Sequence, residues 1–173
     1  MDSTTFNPKP GRGGTIAATA NCPLRKRQLV GDVHDGNAYA LGGVSGNAGL
    51  FSTVTDVARF CRNITFSGER AQDLPFGPAA IRLIFSNALP ESIGGQTLGG
   101  WFTYPNDMLP GGDFVSKAAI GHSGFTGTAI IIDPPQDLAA VFLTNRVCRD
   151  DDGTRFRHLR RRIFNAAVAS IVC

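Results

Sequence analysis

The sequence predicts an α/β fold of the α+β kind, an antiparallel β-sheet flanked by helices, and three observations carry that expectation. Ala129-Ile130-Ile131-Ile132 and Leu138-Ala139-Ala140-Val141-Phe142-Leu143 are continuous apolar runs of strand length, rich in β-branched and aromatic residues. Pro134-Pro135-Gln136-Asp137 lies between them and reads as a turn, so the two runs form a hairpin. Apolar runs of this kind belong in a sheet covered on both faces, and residues 53–64 and 154–172 repeat apolar side chains at helical spacing.

In chain order, residues 1–31 are polar and contain Gly and Pro, which predicts extended surface structure, with Arg25-Lys26-Arg27 as a solvated face. Residues 33–49 turn to Gly, Ala and Asn with scattered apolar residues, a pattern suited to a tight loop packed near a working face. Thr53 is placed as an N-cap with Asp56 at the third helical position, and Val57, Phe60, Cys61 and Ile64 then form one apolar side of a helix. Asn63-Ile64-Thr65 is a formal glycosylation sequon, but its place on that helix argues against use.

Pro78 suits the first turn of a short helix through Phe85, anchored by Ile81, Leu83 and Ile84. Residues 86–120 are rich in Gly and Pro around a strand at Trp101-Phe102-Thr103, the composition of a functional rim. After the hairpin comes the last helix. Phe156, Leu159, Ile163, Ala167 and Ile171 mark its apolar face, and Arg155, Arg157, Arg161 and Arg162 lie mostly elsewhere. Arg160 intrudes on the apolar stripe, so its stem must lie along the core with the charge reaching outward.

Length and composition describe one unit over residues 1–173. Hydrophobic residues make up 42%, enough for a core, while 21 Gly and 10 Pro indicate many turns. A net charge of +3 gives no reason to expect nucleic acid as a partner, and the arginine-rich helix reads as a solvated face. No apolar segment is long enough for a membrane span. Cys22, Cys61, Cys148 and Cys173 are widely spaced, without Cys-x-x-Cys or His-Glu-x-x-His, so neither a zinc site nor any other cofactor is called for; Cys61 suits a helix core.

The candidate site lies at the head of the hairpin, in Gly121-His122-Ser123-Gly124-Phe125-Thr126-Gly127-Thr128. Gly124 and Gly127 permit close backbone approach, and His122, Ser123 and Thr126 offer polar groups where a substrate could lie along the strand edge. That is the form of a substrate-binding strand. His34-Asp35 makes a second polar pair beside a glycine, suited either to a cleft rim or to fixing its own loop.

His122-Ser123-Gly124 resembles the third motif of the serine β-lactamase and penicillin-binding-protein superfamily, commonly Lys-Thr-Gly, with His first in many β-lactamase-related esterases and peptidases. Asp2-Ser3-Thr4-Thr5-Phe6, the segment from Val33 to Gly43, Gly49-Leu50-Phe51-Ser52-Thr53 and Leu143-Thr144-Asn145-Arg146 resemble further segments of that family, in family order, so the likeness covers nearly the whole chain. It implies the family's α/β domain, with the helical lobe absent or reduced to part of residues 1–90. It also implies acyl transfer on a small ester, peptide or β-lactam substrate.

By this resemblance the Phe125 N–H is one of two donors to the substrate oxyanion, and His122 takes the place of the motif lysine. A histidine is only partly charged near neutrality, which favours an ester or peptide over penicillin. Ser123 adds a hydroxyl, Gly124 leaves room for substrate, and Thr126 and His34 complete the substrate-binding set. The family's nucleophile sits in Ser-x-x-Lys, so that the amine lies one helical turn from the hydroxyl. Here Lys9, Lys26 and Lys117 follow Phe6, Pro23 and Phe114 at that spacing, so no such motif exists. A literal Tyr104-Pro105-Asn106 matches the second motif but stands in the wrong order. The expectation is therefore the C-terminal portion of a larger hydrolase, partnered by its missing N-terminal portion or by a second copy of the chain. The alternative is a binding module that keeps the cleft strand without catalysis.

Overall fold

The computed structural model describes residues 1–9, 15–65, 77–149 and 153–171. The chain begins with β1 (Thr5–Phe6), the hairpin β2 (Ala18–Cys22) and β3 (Arg27–Val30), the short helix α1 (Gly36–Ala40), β4 (Leu50–Phe51) and helix α2 (Val54–Thr65). Helix α3 (Pro78–Phe85) follows, then β5 (Phe102–Thr103), β6 (Ile120–Ser123), β7 (Ala129–Asp133), β8 (Leu138–Phe142) and helix α4 (Thr154–Ala169). Strands β5-β6-β7-β8 form one antiparallel sheet in that order, while β1 pairs with β4 and β2 with β3.

The sheet is covered on both faces, which is why its central strands read as unbroken apolar runs. Side chains alternate across a strand. Ile130, Ile132, Ala139 and Val141 therefore share the face that packs with Ile120 against Cys61, Ile64, Val57 and Phe60 of α2. Ala129, Ile131, Ala140 and Phe142 share the other, against Phe164 of α4 and Leu109 and Val115. Burial pushes the Cys61 thiol up to about 12, so it behaves as a small apolar side chain.

At the turn end of the hairpin the fully buried Asp133 carboxylate accepts hydrogen bonds from Ser116 Oγ at 2.6 Å, Ser116 N–H at 2.7 Å and Gln136 Nε2 at 2.8 Å. Three donors compensate the desolvation of that group. The strand expected over 138–143 ends at Phe142, because Thr144 turns away to donate from Oγ1 to Gly127 C=O.

Three expectations change at the N-terminal side. Residues 18–30 are extended, but they form a paired hairpin whose Ala20 and Leu29 are fully buried, because β2 packs on the turn at Arg146–Arg149. Arg25 is not simply solvated: its guanidinium donates to Val33 C=O at 2.7 Å and His34 C=O at 3.1 Å and lies 3.8 Å from the Tyr39 ring centroid. The loop expected over 33–49 contains α1, since the Asp35 side chain accepts from Ala38 N–H at 2.8 Å and caps it.

The last helix is rotated relative to the expectation. Phe164 is its buried residue, whereas Leu159 and Ile171 are exposed. The row from Phe156 through Arg160 to Phe164 faces the sheet, and the expected row from Leu159 through Ile163 and Ala167 lies at its margin, with Ile163 and Ala167 half-buried. Arg160 is half-buried, and its Nε has no hydrogen-bond partner among the described residues. Val172, the expected end of this helix, lies outside the described residues.

Thr53 caps α2 through a hydrogen bond from Asp56 N–H to Thr53 Oγ1 at 3.2 Å. The Asp56 carboxylate reaches the start of the chain, accepting from Ser3 N–H and Thr4 Oγ1, each at 2.9 Å, while Thr4 and Ser52 hydroxyls lie 2.8 Å apart. Burial disfavours the Asp56 charge, but the Ser3 and Thr4 hydrogen bonds outweigh it and hold the carboxyl below the ordinary aspartate value of 3.8. A depressed carboxyl stabilises the fold above that value and loses its contribution as pH falls through the lower folded value. Thermal melts of Asp56→Asn should thus show a loss of stability near neutrality that shrinks in acid below 3.8. An equal loss at both pH values would show that the carboxylate charge plays no part.

Candidate functional site

The site is built on an unfinished pairing. Gly124 N–H donates to Thr128 C=O at 2.8 Å across the β6–β7 ladder, so by alternation Gly121 and Ser123 turn their backbone groups to the opposite edge of β6. There Gly121 pairs with Phe102, and β5 goes no further: Gly100, which the register would set opposite Ser123, donates its N–H to Thr97 C=O at 2.9 Å instead. Beyond Gly121 the edge of β6 is therefore open at Ser123. The Phe125 N–H, one step past it, has no hydrogen-bond acceptor among the described residues. An open edge of this kind accepts an extended ligand by main-chain pairing.

Gly127 makes the turn possible. Its φ is +110°, a conformation that L side chains rarely adopt, and its N–H closes the turn onto Gly124 C=O at 3.0 Å. From the other side, Arg146 N–H donates to Thr126 C=O at 2.9 Å and Thr144 Oγ1 to Gly127 C=O at 2.8 Å. The segment Thr144-Asn145-Arg146 thus holds the tip of the hairpin by its backbone.

His122 stacks on Phe102, ring centroids 4.9 Å apart with the planes inclined by 10°. Loss of water around the ring lowers its pKa below the ordinary histidine value of 6.5, and a backbone interaction with Ser123 only partly offsets this. A lowered pKa favours the neutral imidazole near neutral pH, which donates and accepts hydrogen bonds rather than holding an anion by charge. Ser123 is half-buried and its hydroxyl makes no hydrogen bond among the described residues.

His34 is brought to the same place by the Arg25 hydrogen bonds to its loop. It stacks on Phe125, with centroids 5.2 Å apart and planes inclined by 10°. The Phe125 ring is 65% exposed and also lies 5.0 Å from the Arg146 guanidinium carbon. The predicted residues His122, Ser123, Gly124, Phe125, Thr126 and His34 thus gather around one strand end. The two histidines have separate partners, however: His122 lies on Phe102 and His34 on Phe125, so they do not form a pair.

At Gly124 a Cβ would also meet Thr128 Oγ1 inside the turn, so the hairpin adds its own constraint at this position. Asn106 of the Tyr104-Pro105-Asn106 match is engaged by backbone, its Nδ2 donating to Gly95 C=O at 3.1 Å and its Oδ1 accepting from Met108 N–H at 2.8 Å. Sequence reasoning missed Arg25, Phe102 and Arg146. For Arg146 the signal was its place directly after the second hairpin strand, where a residue must pass the turn Gly124–Thr128.

Residues 1–163 match the profile of the family described as Beta-lactamase. A protein of Escherichia coli K12 named "Putative D-alanyl-D-alanine carboxypeptidase" is 33% identical over 162 residues, covering 84% of this chain and 37% of that protein. An N-acetylmuramyl-L-alanine amidase of Bacillus subtilis is 36% identical over 133 residues, covering 71% of this chain and 28% of the relative. The chain thus spans 37% and 28% of the length of these two curated relatives. A crystal structure of a beta-lactamase from Mycobacterium bovis superposes with a TM-score of 0.59 at 23% identity, over 79% of this chain and 54% of that one, a likeness of fold.

Proposed function

Because the chain belongs to the beta-lactamase family, we propose that it forms the strand side of the substrate cleft of a serine hydrolase that cleaves a peptide or ester by acyl transfer. The observation that carries this reading is the open edge of β6 beyond Gly121, ending in the Phe125 N–H without an acceptor. An acyl group laid along that edge places its carbonyl oxygen at the Phe125 N–H, which stabilises the negative charge that develops on attack. Gly124 keeps the turn tight beside it, and the Ser123 hydroxyl and the neutral His122 imidazole hydrogen-bond the substrate or the group that protonates the leaving amine or alcohol. Thr126 and His34 border the same end.

In this reading residues 1–173 are a single partial domain, and the serine nucleophile and its lysine lie in polypeptide outside them. The substrate class follows the relatives named as a D-alanyl-D-alanine carboxypeptidase and an amidase: a peptide rather than a penicillin, in keeping with a neutral His122. No helix among the described residues is long and apolar enough to cross a membrane.

Complementation tests the proposal. With nitrophenyl acetate or an acyl-D-alanyl-D-alanine peptide, this chain alone should give no acyl-enzyme burst, and adding a separately expressed Ser-x-x-Lys segment of the parent should restore turnover. His122→Ala in the restored enzyme should lower turnover by about 10–100-fold, the value of one or two positioned hydrogen bonds. The wild-type rate should not fall until pH drops below the ordinary histidine value of 6.5. Binding of the two parts with no gain of hydrolysis would favour the module that binds without catalysis. Labelling of a serine in this chain alone by a fluorophosphonate would overturn the division of labour.

A further inference from the structure

We infer that His34 and Arg146 are positioning residues that hold the Phe125 ring and thereby fix the direction of the Phe125 N–H. The inference rests on the oxyanion role proposed for that N–H, and adds two residues from distant parts of the chain that act on it without touching the reacting atoms. Phe125 sits in a turn rather than in the β6–β7 ladder, and its own N–H makes no hydrogen bond among the described residues. The peptide plane between Gly124 and Phe125 is tied on its carbonyl side by the Gly127 N–H to Gly124 C=O bond at 3.0 Å, while its N–H side has no partner among the described residues.

The side chain adds a second hold to that single turn hydrogen bond. Its ring is stacked on His34 at 5.2 Å and lies 5.0 Å from the guanidinium carbon of Arg146. Such contacts are specific in geometry, since a π face attracts a cation and an aromatic partner in defined orientations. Both partners are themselves held. Arg25 bonds the Val33 and His34 carbonyls, and Arg146 is tied to the turn by its N–H to Thr126 C=O. A ring that is 65% exposed yet bordered by a cation and an aromatic residue is gripped by neighbours rather than buried by a core.

A donor that must meet a developing oxyanion requires a fixed direction, and an aromatic clamp provides one while leaving the N–H open to ligand. Glycine at 124 on one side and at 127 on the other gives the turn freedom, so a grip on residue 125 is the natural place to remove it.

The test uses the intact chain and amide NMR. His34→Ala and Arg146→Ala should each speed hydrogen exchange at the Gly124 and Gly127 amides by about threefold to tenfold, as expected for loss of one aromatic or cation contact, with the thermal midpoint nearly unchanged. His34→Phe should restore protection, and in a Phe125→Leu background His34→Ala should have no further effect. Acetyl-D-alanyl-D-alanine is then titrated into the wild type and His34→Ala. A ligand-dependent downfield shift of the Phe125 amide that weakens in His34→Ala supports the clamp. An equal shift in both proteins, with unchanged exchange, overturns the clamp and leaves the proposed function standing. Faster exchange in His34→Ala with no ligand shift at Phe125 in either protein supports the clamp and overturns the oxyanion role.

Discussion

Replacing Ile131 with aspartate is expected to abolish cooperative folding. Ile131 is fully buried in β7, paired with Gly121 on one side and Ala140 on the other, and it packs with Phe164 of α4 beneath the sheet. Its Cδ1 lies 3.3 Å from where a Cβ on Gly111 would stand. A carboxylate in that position would lose the packing and face apolar side chains, at a cost of several kcal/mol, about the whole stability of an ordinary domain. Asp133, two residues on, shows what a buried carboxylate needs: it has Ser116 and Gln136 as donors, and Ile131 has nothing equivalent. Far- and near-ultraviolet circular dichroism with thermal melts measures the effect. A cooperative transition within a few degrees of the wild type would mean that the face against α4 is not the core.

Gly127→Val should come next in severity and should act at the site as well as on stability. At φ +110° a β-branched residue is strained, and its Cβ would stand 2.6 Å from Thr144 Oγ1 and 3.1 Å from Phe156 Cζ. Backbone strain of about 1–2 kcal/mol adds to overpacking of about 1–3 kcal/mol, a loss of about 3 kcal/mol. The turn can relax only by breaking the Gly127 N–H to Gly124 C=O bond or the Thr144 bond to Gly127 C=O, and either displaces Phe125. Denaturant melts should show the lost stability, and amide spectra should show shifts centred on residues 124–128. Gly124→Val should be milder, because its negative or extended backbone is not in question and the obstacle is the Thr128 hydroxyl, which can rotate away. If Gly127→Val matches the wild type in both measurements, the tip of the hairpin is not constrained as described.

The hairpin at 129–142, the cap at Thr53, the apolar side of α2 and the first-turn proline of α3 were legible because each is specified by residues close in sequence. Strand runs covered on both faces, N-cap hydroxyls and proline at the helix start write local physics into local patterns. The glycines of residues 121–128 likewise announced a strand end with room around it, and the family likeness was carried by motifs spread over most of the chain.

What the pattern left ambiguous was rotation and partnership. The apolar residues of α4 allow either row of a broad stripe to face inward, and only the sheet beneath selects Phe164 over Leu159. Arg25 looked like one member of a solvated charge trio, but folding brings the carbonyls of residues 33 and 34 to its guanidinium. The same holds at the site. His34, Phe125 and Arg146 meet at one ring from separate segments, and no periodicity in the chain links them. Sequence alone determined the strand, its glycines and the family. The tertiary structure decided that the edge of β6 stays open past Gly121, because β5 turns back there to satisfy its own backbone hydrogen bonds with Thr97.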